Sequence, residues 1–169
     1  DRTGAAANSV YGATDEAYIA DIYYAASAQI VAKAAEVLGL EETRQEYHKI
    51  ADRQWQVVKE EYFTATGRCA VKTQTGLILA LKYHLSENEE LTKQMLQKLL
   101  RDNKNKLNTG FVGTPLLCNV LTDHGMTDAA YRLLLNEEYP GWLHEVKLGA
   151  TTVWERWNSL DENGHVSST

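Results

Sequence analysis

Six stretches of this 169-residue chain repeat their apolar residues at spacings of three and four, and the connections between them alternate between short and long. Spacing of that kind puts the apolar set on one face of a helix, so each stretch must bury a face against another helix. From Asp15, the residues Ile19, Tyr23, Ala26, Ile30, Ala34 and Val37 define a first helix that Gly39 ends. Glu41 and Glu42 suit a first turn, and Tyr47, Ala51, Trp55, Val58 and Tyr62 define a second helix ending near Phe63. A turn-rich stretch from Thr64 to Lys72 leads into a third helix with Leu77, Ala80 and Leu81 on its apolar face. Ser86-Glu87-Asn88-Glu89 has the pattern of a capping box, with Ser86 as N-cap, opening a fourth helix with Leu91, Met95, Leu96 and Leu99. Thr114 before Pro115 predicts an N-cap and a fifth helix to about Asp123. Thr127 caps a sixth, whose buried face is read as Tyr131, Leu134 and Leu135, before Tyr139-Pro140-Gly141 breaks the pattern. A last short helix is expected from Thr151 or Thr152.

Short turns join helices one to two, three to four and five to six, whereas long loops follow helices two, four and six. If successive helices are antiparallel, the three long loops emerge at one end, where function-bearing loops belong. The fold class is therefore all-α, built of antiparallel helical hairpins in a closed α/α assembly. The irregular spacing of the helix starts argues against a regular solenoid. The chain reads as a single domain over 1–169, with residues 1–13 irregular.

The formal charge of −6 leaves no basic stripe for a phosphate backbone, which argues against nucleic acid. No apolar run approaches the roughly 20 residues of a membrane span, so no membrane partner is expected. The stretch from Asp1 to Asn8 lacks signal-peptide character, but a chain starting without methionine leaves its compartment open. Cys69 and Cys118 are too few for a disulfide framework and read as structural thiols. His48, His84, His124, His144 and His165 show no ligand spacing along the sequence, so neither a metal nor a cofactor is expected.

The stretch Gly149-Ala150-Thr151-Thr152-Val153-Trp154-Glu155-Arg156-Trp157 concentrates what chemistry there is. In the first turn of a helix starting at Thr152, the macrodipole and the neighbouring Arg156 would keep Glu155 ionised, as a base rather than an acid. Trp154 and Trp157 offer flat apolar faces of the kind that stack on sugar rings. The bland alternative is core packing of the two indoles beside a solvated Glu-Arg pair. In Thr109 to Thr114, glycines on both sides of Phe111 permit close backbone approach to a ligand, or simply a tight turn feeding a capped helix. Glu137-Glu138-Tyr139-Pro140-Gly141-Trp142 adds paired acids and an aromatic. Asp15, Glu16 and Asp21 crowd a helix start, which the helix dipole explains without chemistry.

Taken together, four stretches resemble the catalytic domain of bacterial α-L-rhamnosidases, glycoside hydrolase family seventy-eight. They are Thr73-Gln74-Thr75-Gly76, Thr109-Gly110-Phe111-Val112-Gly113-Thr114-Pro115, Tyr139-Pro140-Gly141-Trp142, and the Gly149 to Trp157 stretch. The resemblance implies about half of an (α/α)6 barrel and inverting hydrolysis of terminal α-L-rhamnosyl residues. Inversion needs a general acid and a general base about 6.5–9.5 Å apart, with a water between them. By resemblance, Glu155 is the base, and Trp142, Trp154, Trp157, Arg156 and Phe111 contact a rhamnose-containing glycoside. The family's acid lies in an upstream motif beginning Asp-Cys-Pro, and neither cysteine here precedes a proline. The expectation is a fragment with the base part of the site, inactive alone, and able to self-associate through apolar surface that a whole barrel would cover. A non-catalytic α-hairpin scaffold binding a protein partner, or another (α/α)6-barrel glycosidase, remain as alternatives.

Overall fold

Asp15 opens the first helix by accepting the N–H of Tyr18 on its carboxylate at 3.0 Å, and α1 then runs over Glu16–Val37. The computed structural model describes residues 13–160 and 164–166; the expectation that 1–13 are irregular falls almost wholly outside them. Gly39, at φ +71, and the N–H of Leu40, which reaches the Ala35 carbonyl at 2.9 Å, turn the chain into α2, Glu41–Tyr62. The remaining helices are α3 (Gln74–Lys82), α4 (Glu89–Asp102), α5 (Thr114–Asp123), α6 (Thr127–Leu134) and α7 (Trp142–Lys147). Among the described residues there is no strand, only isolated bridges such as Phe63 with Cys69.

The helices pack as three hairpins, α1 on α2, α3 on α4 and α5 on α6, while α3 also touches both α1 and α5. Helices α1, α3 and α5 thus form an inner row and α2, α4 and α6 an outer layer, the arrangement expected for part of an α/α barrel. The burial of α3 follows from its place in the middle of that row: eight of its nine residues, Gln74 to Leu81, are buried. Tyr18 and Ile22 from α1, Leu96 and Leu100 from α4, and Leu117 and Leu121 from α5 join Leu77, Ile78, Leu79 and Leu81 in one core. Burying each such side chain contributes about 1.5–3 kcal/mol relative to leaving it in water. Cys69 and Cys118 are free thiols, the first buried, and burial pushes both thiols up.

The helix positions match the periodicity, but several faces and caps differ. On α1 the buried set is Tyr18, Ile22, Ala25, Ala26, Ala28, Ala32 and Ala35, while the expected Tyr23, Ile30 and Val37 face outward. Apart from Tyr18 and Ile22 at its start, the buried stripe of α1 is all alanine. On α6, Ala130 and Leu133 are buried, whereas Tyr131, Leu134 and Leu135 are exposed. The capping box does not form: Asn88 is the N-cap of α4, accepting from the Leu91 N–H at 3.0 Å. Ser86 is drawn away, donating to the Gly67 carbonyl at 2.6 Å. The caps of α5 and α6 likewise fall one residue earlier than expected, at Gly113 and Met126.

Candidate active site

The N-terminal end of α3 supports everything around it. Thr73 caps the helix by accepting the Gly76 N–H at 3.0 Å, and Tyr18 donates its hydroxyl to the Gly76 carbonyl at the same distance. Gln74, 1% exposed, uses both ends of its amide on the connection that follows α4. It donates to the Lys106 carbonyl at 3.0 Å and accepts the Asn108 N–H at 2.8 Å. The buried amide therefore fixes where Thr109 to Gly113 begins, since an unpaired buried polar group would cost about 1–3 kcal/mol.

Within that loop, Thr109 and Thr114 pair their hydroxyls at 2.8 Å. A Cβ on Gly113 would collide with Thr75 Oγ1 and come 3.1 Å from Thr109 Cγ2. The glycine permits close approach of loop to helix α3, so its smallness is used inside the protein. Phe111, by contrast, projects from the loop and is 90% exposed.

The third long connection joins the same end. Lys106 donates to the Tyr139 carbonyl at 3.2 Å and pairs with Glu138 at 2.8 Å. Tyr139-Pro140 is a cis peptide, and it leads through Gly141 into α7. That six-residue helix is absent from the sequence reading, too short to give a period. Trp142, at its start, packs edge-on against Trp157 with ring centroids 5.5 Å apart. Trp157 also donates its indole N–H to the Thr109 carbonyl at 2.9 Å. The connections after α4 and α6 therefore meet at the N-terminal ends of α3 and α5, whereas the one after α2 enters α3 at Thr73 but lies with Gly67 against Ser86 and Asn88 at the α3–α4 turn.

No helix begins at Thr151 or Thr152; residues 151–160 form an irregular loop. Gly149 sits at φ +89, and the N–H of Ala150 returns to the Glu145 carbonyl at 3.0 Å, closing α7. The Trp154 N–H is taken by the Glu145 side chain at 3.3 Å instead of a helical carbonyl. The dipole argument for an ionised Glu155 therefore has no helix to act through. Glu155 and Arg156 are exposed on this loop, Trp154 is half-buried, and Phe111 stands on the loop that Trp157 grips. Glu137 and Glu138, at the other acidic stretch, pair with Lys147 and Lys106.

Nothing in the sequence singles out Glu145, which looks like any surface glutamate of a short amphipathic segment. It is 3% exposed, and its Oε1 has no hydrogen-bond partner. Burial pushes its carboxyl up, and the Trp154 N–H pulls partly the other way. By accepting the Trp154 N–H, its carboxyl steadies the loop carrying Glu155.

Two surface concavities, one beside Leu100, Met126 and Arg132 and the other beside Trp55, Tyr83 and His84, include none of these residues. The spread of histidines along the sequence also hides a convergence. His84, Glu89 and His124 each bring a ligand atom within 4.8 Å of the others, contrary to the expectation of no ligand set.

Comparison with known proteins places this geometry. Residues 3–169 match the family model described as the bacterial alpha-L-rhamnosidase 6 hairpin glycosidase domain. An alpha-L-rhamnosidase of Formosa agariphila is 40% identical over 154 residues, covering 89% of this chain and 17% of that protein. One from Streptomyces avermitilis is 35% identical over 153 residues, covering 89% of this chain and 15% of that protein. The chain thus spans less than a fifth of the length of these relatives. The crystal structure of a native Aspergillus terreus α-L-rhamnosidase superposes with TM-score 0.86 at 31% identity, over 92% of this chain and 18% of that one. The Streptomyces avermitilis enzyme complexed with L-rhamnose gives TM-score 0.81 at 34% identity, over 89% of this chain and 15% of that one.

Proposed function

Since the chain belongs to the bacterial α-L-rhamnosidase six-hairpin glycosidase family, we propose that it carries the general-base part of an inverting α-L-rhamnosidase site. The observation that carries this reading is the presentation of Glu155. Its loop is pinned from both sides, through Trp154 to Glu145 and through Trp157 to Thr109, while Glu155 itself stays exposed. A carboxylate held by its neighbours and open to solvent suits a group that must take a proton from water.

In the proposed reaction, Glu155 removes a proton from water as its oxygen attacks the anomeric carbon. The glycosidic oxygen leaves on the opposite face, protonated by an acid outside the residues described here. Trp154, Arg156 and Phe111 line the rhamnosyl residue, with Trp142 and Trp157 behind them setting the loop. By this reading the 169 residues alone lack the acid and turn over little or no glycoside. The domain is one unit over 1–169, and its exposed apolar residues on α1, Tyr24, Ile30 and Val31 among them, are covered in the longer protein or by self-association.

The test is Glu155→Gln in the full-length protein with an aryl α-L-rhamnoside. Turnover should fall by about 10²–10⁴-fold, and azide, which needs no deprotonation, should restore part of it. Nuclear magnetic resonance should show the β-anomer of rhamnose as the first product of the unaltered enzyme. Unchanged turnover in Glu155→Gln would remove the residue from the mechanism and favour a scaffold role for this surface; an α-anomer as first product would exclude inversion.

A further inference from the structure

We propose that His84, Glu89 and His124 form a binding site for a divalent transition-metal ion of the zinc class, at the end of the bundle away from the tryptophan loops. Three elements meet there. His84 follows the last turn of α3, Glu89 is the first residue of α4, and His124 is the C-cap of α5. Because α3 pairs with α4 and also touches α5, residues forty positions apart become neighbours.

One carboxylate addresses both imidazoles. Glu89 Oε1 lies 2.6 Å from His84 Nδ1, and its Oε2 lies 3.8 Å from His124 Nε2. The rings themselves are 6.1 Å apart between centroids. His124 is oriented in the manner of a metal ligand. Its Nδ1 lies 2.9 Å from the Val120 carbonyl, and a carbonyl only accepts, so Nδ1 is the donor there and Nε2 is the nitrogen left to face an ion. A second hydrogen bond of this kind, fixing tautomer and ring plane, is the usual companion of metal-bound histidine. Two imidazole nitrogens and one carboxylate oxygen suit zinc, nickel or copper, whereas magnesium and calcium prefer all-oxygen sets.

The distances fit a modest rearrangement, in which the close His84–Glu89 pair opens and the wider separations close. Ligand atoms held about 2.0–2.2 Å from zinc at tetrahedral angles are roughly 3.5 Å apart, against a widest separation within 4.8 Å here. His84 has 72% of its side chain exposed and Glu89 38%, so both can move while His124 stays fixed. Water would complete the fourth position. The ion would tie the turn ends of two hairpins, leaving the other end of α3 and α5 to the glycosidase site.

The experiment is calorimetric titration of zinc chloride into the metal-free full-length protein and into His84→Asn, His124→Gln and the double variant. Asparagine is chosen at 84 because the backbone there sits at φ +53, which asparagine tolerates better than most residues. The parent should take up one zinc ion more than the double variant, and each single variant should weaken that event at least tenfold, about 1.4 kcal/mol. Cobalt(II) should show visible d–d absorption in the parent that the double variant lacks, with circular dichroism unchanged among all four. Equal zinc stoichiometry and affinity in parent and double variant, or no saturable binding in the parent, would overturn the site and leave a histidine-glutamate ion-pair cluster.

Discussion

The indole N–H of Trp157 donates to the carbonyl of Thr109 at 2.9 Å, linking two loops that lie 48 positions apart in the chain. Trp157 also packs edge-on against Trp142, so one aromatic of the Trp-Glu-Arg-Trp cluster acts as a brace for the residues beside it. Trp157→Phe keeps the ring contact and removes the donor. It should cost about 1–2 kcal/mol in urea unfolding and speed proteolytic cleavage within residues 149–160. An unaltered cleavage rate would mean the loop is held by other contacts.

Gln74 holds the Thr109 loop by two backbone hydrogen bonds from a buried amide. Gln74→Leu preserves bulk and removes both hydrogen bonds, leaving the Lys106 carbonyl to the Asn103 amide alone. The expected loss is about 2–4 kcal/mol, with a lower urea midpoint. Gln74→Glu should also destabilise, because it retains the acceptor for Asn108 but sets a carboxylate against the Lys106 carbonyl.

Gly113 touches α3 where a methyl group does not fit. Gly113→Ala should cost about 1–3 kcal/mol as an overpacked contact. Thr75→Ala in the same chain should return part of that loss, because Thr75 Oγ1 and Cβ are among the atoms the new methyl meets. Additive losses in a double-mutant cycle would place the strain elsewhere.

Glu145 makes stability depend on pH in a direction that follows from its raised pKa. Folding favours the protonated form, so its contribution is fully present below the ordinary glutamate value, about 4.3. It is lost as pH rises through the folded-state value. Glu145→Gln, which keeps an acceptor for the Trp154 N–H without a charge, should melt higher than the parent at pH 8 and show no such advantage near pH 4. A constant difference across that range would show that titration of Glu145 is not the source.

The sequence carried the hairpin plan because helix length and loop length are local properties. Gly39, Pro115 and Gly125 punctuate the chain close to where the helices stop and start. Which face turns inward is not local. Tyr23, Ile30 and Val37 have the right period on α1, but the face that packs inward is the neighbouring one with Tyr18, Ile22 and the alanines. The loop at Thr151 departs from the expected helix for a related reason. Thr151, Thr152 and Val153 are weak helix formers, and the N–H of Trp154 finds its partner in the side chain of Glu145. Neither Glu145 nor the His84-Glu89-His124 group has a signature of spacing, because tertiary packing alone brings their partners together. The motif around Glu155 was legible because its unusual residues are contiguous.

The layering of the hairpins has a geometrical consequence. Each inner helix needs a neighbour on either side, and α3 has both, which is why nearly all of it is dry. α1 meets α3 along one flank, and large side chains such as Tyr24 and Ile30 stand in the open elsewhere on its surface. Any arc of such hairpins ends in a raw seam, and adding another unit only moves the seam along. Curving until the last inner helix meets the first removes it altogether, so ring closure protects the apolar flanks while bringing the loops of every hairpin around one common mouth.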